Sequence, residues 1–371
     1  MKLYRFETHY GKFFILIITL VVLAVIGCEI LLSFMTQKEE VSSVVRNIRL
    51  KEHKPSTVIF AIPDDKYMSK VDSLKQKKFR FETDDDGYIY PSKIHEHPDK
   101  TIIFLGGSTT ECLYVDEENR FPYLVGRLLE KNGKKINSIN SGVSGNHSMH
   151  SINIFLNKGL RLNPDIVVMM HNINDLNILL YENNYWNKNP SRSLIVSKQE
   201  YASAKNIIHK VIPNIYKKTQ ILKNKFFKQS NVQLDEFAHL RGKRLLIDKD
   251  KILGKFAKNL RVFINISKAY GVTPVLMTQA NRFKDIPDRV IIDNWKLEKD
   301  FGITYKEYRE IYLQMNQVIR QIGVSNSVMV IDLEKEVPQN NEYMYDPVHF
   351  NDNGSTYVAK IIANNLGKLY K

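Results

Sequence analysis

Cysteine is scarce in this sequence, which has only Cys28 and Cys112 among its 371 residues. Cys28 lies in a long apolar stretch and Cys112 beside a Gly-Gly-Ser segment, so we do not expect them to pair, and a disulfide framework is excluded. No spacing typical of metal ligands occurs. The acidic segment 84–87 begins like a calcium loop but has no glutamate at the twelfth position, which favours a solvated turn. The sequence predicts no metal and no cofactor.

Acidic side chains are scarce between residues 205 and 261, where 15 Lys and Arg accompany 4 Asp and Glu, so that this stretch carries most of the formal net charge of +14. Apolar residues at helical spacing predict amphipathic helices with a basic outer face. These residues are Ile207, Ile208, Val211, Ile212, Leu245, Leu246, Ile252, Leu253 and Phe256. A solvated face, a surface resting on anionic lipid headgroups and a groove for an acidic polymer all fit this charge. No nucleic-acid-binding module is recognisable, so nucleic acid is not an expected partner.

Charged residues are nearly absent from Phe13 to Met35, a stretch long enough to cross a bilayer, for which about 20 apolar residues suffice. Lys2, Arg5 and Lys12 precede it. Because positive charge flanking a membrane helix favours the cytoplasmic side, the sequence predicts a single-pass membrane protein with its N-terminus in the cytoplasm and the rest of the chain outside.

Two other interpretations of this apolar stretch remain open. A cleaved signal peptide is one, although no small-x-small cleavage site ends the stretch cleanly. The other is a bacterial lipoprotein, because Val25-Ile26-Gly27-Cys28 resembles a lipidation box that would make Cys28 the modified N-terminus. The membrane helix and the lipoprotein both leave the chain tethered outside the cytoplasm.

Three short runs rich in Ile and Val each precede a polar segment. The runs Thr101–Leu105, Ile136–Asn140 and Asp165–Met170 are too short for helices and predict buried parallel strands. The segments are Gly106-Gly107-Ser108-Thr109, Asn140-Ser141-Gly142 and Asn172-Ile173-Asn174-Asp175. Ligands of parallel sheets bind beyond the C-terminal strand ends, so we expect these segments to share one crevice. Taken singly, each is an ordinary turn, and Asn174-Asp175 could cap a helix that begins near Leu176.

A fourth segment, Asp346-Pro347-Val348-His349, places a carboxylate and an imidazole three residues apart. A serine hydroxyl is a poor nucleophile unless an imidazole removes its proton, and that imidazole needs an acceptor on its other nitrogen. The sequence therefore predicts Ser108 as nucleophile, His349 as base and Asp346 as the acid that orients the base.

The four segments, in this order, resemble the four sequence blocks of the SGNH/GDSL hydrolase superfamily. Carried over by position, Ser108 is the nucleophile, while Ser108, Gly142 and Asn174 would donate hydrogen bonds to the oxyanion. The resemblance covers roughly residues 99–180 and 262–366. The sequence departs from the family at Gly107, where an acidic residue is usual, and at Asn172, where the third block usually has glycine.

The resemblance implies an α/β fold, a flavodoxin-like three-layer sandwich with a five-stranded parallel, doubly wound sheet of order 2-1-3-4-5. Periodicity adds the last two strands, Val272–Thr278 and Ser327–Asp332. The predicted helices are Phe121–Asn132, Ser148–Leu160, Gly254–Tyr270, Tyr305–Ile322 and Ser355–Leu369, the last introduced by the turn Asn353-Gly354-Ser355.

The expected domain organisation has three parts. Residues 1–36 would form a cytoplasmic stub and membrane anchor, and residues 37–98 a stalk that packs on the catalytic domain. Residues 99–371 would form the catalytic domain, with a basic helical insertion at about 185–261.

The expected function is a serine-dependent esterase or acyltransferase that acts, through an acyl-serine, on ester groups of an extracytoplasmic polysaccharide, most simply O-acetyl groups. The glycan substrate is carried over from membrane-tethered proteins of similar layout alone. A lipase or lysophospholipase at the membrane surface and a non-catalytic glycan-binding protein are the alternatives.

Overall fold

The computed structural model describes residues 3–36, 46–130, 133–197, 237 and 240–370. The chain divides into two compact units, one with residues 1–48 and 195–234 and the other with residues 49–194 and 235–371. The expected helices around Ile207 to Ile212 and residues 37–45 of the expected stalk lie outside the described residues.

The first unit contains helix α1 (Leu3–Thr36) and two short strands, β1 (Arg46–Ile48) and β7 (Ile195–Ser197), which pair antiparallel. Within α1, residues Lys12–Leu31 are apolar enough and long enough to cross a membrane. A signal sequence would meet the same two criteria.

The second unit is built on a five-stranded parallel sheet of order β5-β4-β6-β8-β9. Its strands are β4 (Lys100–Gly106), β5 (Ile136–Gly142), β6 (Ile166–Met170), β8 (Thr273–Met277) and β9 (Met329–Ile331). All five overlap the predicted strands, and the order confirms the 2-1-3-4-5 sheet. The prediction of fold class is therefore correct.

Helices cover both faces of this sheet. In chain order they are α3 (Ser108–Glu111), α4 (Phe121–Leu129), α5 (Ser148–Asn157), α6 (Ile173–Tyr181), α7 (Lys249–Ala269), α8 (Arg289–Asp293), α9 (Leu297–Phe301), α10 (Tyr305–Ser325), α11 (Leu333–Glu336) and α12 (Asp352–Leu366). Short 3₁₀ turns occupy Glu117–Asn119, Gly159–Leu162 and Gly367–Tyr370.

The core lies in two layers because successive strand residues point to opposite faces of the sheet. Ile103 and Leu105 of β4 belong to one buried cluster with residues of α5, α6, α7 and α10. Ile102 and Phe104 belong to the other, with residues of α4 and α12. This alternation produces the three-layer sandwich.

Two predictions about helix boundaries were wrong. The final helix begins at Asp352, because the Asn351 side chain accepts a hydrogen bond from the Gly354 N–H, so the expected turn is the first turn of α12. Leu245 and Leu246 lie outside any helix, and the Leu246 side chain is 96% exposed. Helical spacing alone does not show whether a leucine packs against another element.

Most of the described part of the expected stalk, residues 49–98, belongs to the second unit. Strands β2 (Val58–Ala61) and β3 (Phe79–Glu82) form an antiparallel pair, and Phe79 and Phe81 are buried. Between them lies the short helix α2 (Asp65–Met68). In the acidic turn at 84–87, the Lys93 ammonium pairs with the carboxylates of Asp84, Asp85 and Asp86.

A buried arginine connects this segment to the loop that carries the fourth polar motif. The Arg282 side chain, only 2% exposed, donates to Asp72 at 2.5 and 2.9 Å and to Asp288 at 2.8 and 3.0 Å. It also donates to the Met344 carbonyl at 3.1 Å, and its backbone N–H donates to the Pro347 carbonyl at 2.8 Å. Arg282 therefore holds the 344–347 loop in place.

We predict that Arg282→Ala lowers the free energy of unfolding by about 3 kcal/mol, because it leaves the partly buried Asp72 carboxylate without its arginine and leaves Asp288 with Lys284 alone. Denaturant titration of the full-length protein in detergent measures this loss. Arg289→Ala is the control, since its side chain is 92% exposed and, within the described ranges, pairs with Asp293 alone. Equal effects of the two substitutions would show that Arg282 is not a structural clamp.

Candidate active site

Ser108 lies just beyond the C-terminal end of β4, where the chain turns from this strand into α3. Gly106 and Gly107 form this turn, and a side chain on either would collide with a neighbour: the Thr110 side chain for Gly106 and the Asn174 amide for Gly107. Two glycines therefore allow the Ser108 loop to approach the third polar segment closely.

His349 lies between Ser108 and Asp346. Its Nε2 is 2.7 Å from Ser108 Oγ, and its Nδ1 is 2.6 Å from Asp346 Oδ2. The other oxygen of Asp346 accepts hydrogen bonds from the backbone N–H groups of Val348 and His349 at 2.9 and 2.8 Å. With Nδ1–H donating to the carboxylate, Nε2 is left to accept the serine proton. The structure thus brings together the three predicted residues, although Ser108 and His349 are 241 positions apart in the sequence.

The acid and the imidazole shift each other's pKa in opposite directions. Burial acts to raise the pKa of Asp346, but the His349 charge and hydrogen bond, with two backbone N–H groups, hold that pKa below its ordinary value. Burial acts to lower the pKa of His349, but Asp346 and then Glu111 raise it above its ordinary value. Both shifts favour an ionised pair at this site.

Glu111, which the sequence analysis overlooked, lies one turn after Ser108 and is only 3% exposed. Its carboxylate is 3.0 Å from His53 Nε2 and accepts a hydrogen bond from the Ser144 hydroxyl. His53 Nε2 is also 3.1 Å from the Gly142 carbonyl oxygen. A second buried carboxylate therefore lies near the imidazole, held by two groups distant in sequence.

Two tyrosines contact the acid and the base. The Tyr345 ring stacks on His349 with an interplanar angle of 5° and ring centroids 5.6 Å apart. The Tyr67 hydroxyl in α2 is 3.5 Å from Asp346 Oδ2, and burial, with the Asp346 charge, raises the pKa of Tyr67. Tyr67 shows that residues 49–98 reach the site, which no motif in that segment indicated.

Asn174 lies beside the Ser108 loop with its amide oriented. Its Oδ1 accepts a hydrogen bond from Arg192 Nη1 at 3.1 Å, and its Nδ2 adjoins the Gly107 Cα. The Ser108 N–H, at the start of α3, has no acceptor among the described residues. Two of the three expected oxyanion donors therefore lie near Gly107 without a hydrogen-bond acceptor among the described residues.

The N–H of Gly142, the third expected donor, already has a hydrogen-bond acceptor. Its N–H donates to the Asn140 side chain at 2.9 Å, and a side chain on Gly142 would collide with the backbone of Thr110 and Glu111. The glycine therefore allows β5 to pack against α3. Three residues later, Gly145 has φ +75°, and its N–H has no acceptor in the described part of the chain. The short turn Val143-Ser144-Gly145 was the available sequence signal for this second glycine.

Asn172 does not occupy the space near Ser108. Its amide nitrogen donates to the Tyr312 carbonyl at 2.9 Å and to Asn316 Oδ1 at 3.0 Å, so the side chain points into the packing against α10. The departure from glycine at this position therefore does not place a side chain beside Ser108.

Asp175 caps a neighbouring helix rather than its own. Its carboxylate accepts hydrogen bonds from the backbone N–H and the hydroxyl of Ser148 at the start of α5, and from the Tyr185 hydroxyl at 2.7 Å. Burial raises the pKa of Asp175 to about 6 despite these hydrogen bonds. The expected capping of the helix near Leu176 is wrong, because that helix begins at Ile173.

No protein-family model and no curated protein sequence matches the chain. Solved structures similar to it include a lipase/acylhydrolase from Enterococcus faecalis, at 15% identity over 73% of this chain and 96% of that one, with a TM-score of 0.42. An acetylxylan esterase from Geobacillus stearothermophilus has 15% identity over 73% and 95%, with a TM-score of 0.43. A GDSL-like lipase from Bacteroides thetaiotaomicron has 14% identity over 73% and 89%, with a TM-score of 0.41.

At TM-scores below 0.5 we draw nothing about activity from these likenesses. The sheet order and the side-chain contacts are observed in the structure of this chain and do not depend on the similar structures. The predicted sheet is present, and Ser108, His349 and Asp346 meet at the expected edge of it. The fold that the sequence resemblance implied is therefore present, and the three residues predicted from it lie in contact.

Proposed function

We propose that this protein is a serine-dependent esterase or acyltransferase that forms an acyl-Ser108 intermediate. The observation that carries the proposal is the continuous hydrogen-bonded line from Ser108 Oγ through His349 to Asp346, with distances of 2.7 and 2.6 Å. A base within 3 Å of a serine hydroxyl, itself oriented by a buried carboxylate, is the arrangement that acyl transfer requires.

In the first half-reaction, Ser108 Oγ attacks the ester carbonyl carbon while its proton moves to His349 Nε2. Asp346 stabilises the imidazolium through Nδ1. The carbonyl oxygen becomes an oxyanion that accepts hydrogen bonds from the Ser108 N–H and from Asn174 Nδ2. When the tetrahedral intermediate collapses, the carbon–oxygen bond to the alcohol breaks and the alcohol leaves with the proton from His349.

We propose Gly145 rather than Gly142 as the second backbone donor to this oxyanion. The Gly142 N–H would have to abandon the Asn140 side chain first, whereas the Gly145 N–H has no competing acceptor in the part of the chain described. Donors that need no rearrangement contribute most to transition-state stabilisation.

In the second half-reaction, water or a sugar hydroxyl attacks the acyl carbon while its proton moves to His349 Nε2. The bond between that carbon and Ser108 Oγ then breaks, and Oγ takes the proton back from His349. Hydrolysis and transfer therefore use the same residues and differ in the acceptor alone. We favour O-acetyl groups of an extracytoplasmic polysaccharide as substrate. This choice is supported by the N-terminal apolar helix, which would tether the protein at the cell surface.

The same helix favours a second candidate, a lipase or lysophospholipase, because it would bring the site to lipid. Turnover of a series of chromogenic esters by the full-length protein in detergent distinguishes the two. Preference for acetyl over palmitoyl esters supports the first proposal, and product that depends on an added glycan acceptor identifies transfer. The reverse chain-length preference would support the lipid substrate. A non-catalytic glycan-binding protein would turn over neither ester.

We predict that Ser108→Ala lowers turnover by at least about 10⁴-fold and that His349→Ala causes a comparable loss, because the members of such a unit act together. Labelling with a serine-directed fluorophosphonate gives an independent measure. Thermal unfolding controls for folding. Labelling of the Ser108→Ala protein at wild-type level would show that the nucleophile is another residue.

Another prediction concerns the pH dependence of kcat/KM. His349 must be neutral to accept the serine proton, and the nearby Glu111 charge favours the imidazolium, raising the pKa of His349. Glu111→Gln removes this charge, so the acidic limb of the kcat/KM profile should move to lower pH. Glu118→Gln, at an exposed position, is the control and should leave the profile unchanged. A move to higher pH would contradict the proposed role of His349 as base.

A further prediction concerns membrane topology. If Lys2, Arg5 and Lys12 keep the N-terminus in the cytoplasm, everything after the helix lies outside. A reporter fused after Lys371 that works only outside the cytoplasm should be active, and a cytoplasmic reporter there should be silent. A cytoplasmic signal would show that the catalytic unit faces inward. The basic stretch 205–261 stays without an assigned partner.

A further inference from the structure

Arg192 lies after the third sequence block, in a segment where the sequence pointed to no site residue. Its side chain joins the two loops that carry the oxyanion donors. The Nη1 atom donates to the Gly145 carbonyl at 2.6 Å and to Asn174 Oδ1 at 3.1 Å. Asn174 itself is buried, with 9% of its surface exposed.

The guanidinium decides which end of the Asn174 amide faces the nucleophile. A carboxamide has an acceptor oxygen and a donor nitrogen of nearly equal size, so packing alone does not distinguish the two orientations. A guanidinium donates only, and a flipped amide would place two sets of N–H groups against each other. Arg192 therefore keeps Oδ1 on its own side and Nδ2 beside Gly107 and Ser108.

The main chain at Arg192 is held as well. Its carbonyl oxygen is 3.3 Å from His147 Nε2 at the start of α5, and its N–H donates to the Asn189 carbonyl at 3.1 Å. At Gly145, a side chain would lie 3.1 Å from the Arg192 guanidinium carbon and 2.8 Å from Lys51 Nζ. Glycine at this position therefore permits the close approach of Arg192 to the loop.

We propose that Arg192 is a positioning residue for oxyanion stabilisation: it fixes the Asn174 amide with Nδ2 toward the oxyanion and holds the Gly145 loop beside it. A cation on Oδ1 also polarises the amide, which makes Nδ2 a stronger donor. The catalytic role of Arg192 rests on the proposed acyl-transfer function, whereas the contact between Arg192 and Asn174 does not.

The test is a double-mutant cycle between Arg192→Ala and Asn174→Ala, in the full-length protein in detergent, with a chromogenic acetyl ester. Asn174→Ala should lower kcat by about 10²-fold with little change in KM, and Arg192→Ala should lower it by about tenfold, also without a change in KM. In the Asn174→Ala background, Arg192→Ala should cost about twofold or less, since the amide it positions is gone. Arg192→Lys should recover part of the loss in kcat.

Arg320→Ala is the matched control, because Arg320 is also a partly buried arginine, but its partners are Asp332 and Glu334. It should lower stability without lowering kcat. Independent, multiplying losses of kcat at positions 192 and 174, or a loss confined to KM, would overturn the proposal.

Thermal unfolding of the wild type, Arg192→Ala, Asn174→Ala and the double variant separates this inference from the proposed function. The stability losses of Arg192→Ala and Asn174→Ala should be less than additive, because both remove the same contact. If the wild-type protein neither turned over esters nor reacted with fluorophosphonate, the proposed function would fail and the catalytic purpose of Arg192 with it. Additive stability losses would overturn the contact itself.

Discussion

The register of β4 between its two neighbours is the constraint on which the site depends. Gly106 at the end of β4 lies opposite Gly142 of β5 and opposite Met170 of β6. Parallel strands in this register end at the same edge of the sheet, so the polar segments that follow them emerge side by side. A shift of one residue in either pairing would move Ser108 away from Asn174 and exchange the residues that β4 contributes to the two core layers.

The fourth segment reaches the same edge by different means. It lies on a loop rather than at the end of a strand, and long-range contacts hold it: Arg282 donates to the Met344 and Pro347 carbonyls, and the Tyr345 ring stacks on His349. Arg282 in turn pairs with Asp72, which belongs to the segment before the sheet. Residues 49–98 thus help to position the base. Their burial in the same compact unit explains how Tyr67 reaches the carboxylate of Asp346.

The sequence predicted the strands and the Ser108, His349 and Asp346 contacts because each depends on a local pattern. Short Ile- and Val-rich runs identify buried strands, and the ends of these strands determine the positions of the polar residues that follow them. Glu111, Arg192 and Arg282 could not be predicted in this way, because their partners lie far away in the chain and no spacing connects them. Gly142 is a related case: its N–H donates to the Asn140 side chain, which a motif cannot show. Leu246 follows the helical period but lies outside any described helix and is almost fully exposed.

The central claim is that Ser108 carries the acyl group between two half-reactions. The most direct measurement is to mix the full-length protein with an activated acetyl ester, quench in acid within the turnover time, and locate the modification by peptide mass spectrometry. The account predicts one acetyl group, on the peptide that contains Ser108, and none on that peptide in Ser108→Ala. Continued turnover without any acetylated Ser108, or acetylation at another residue alone, would contradict it.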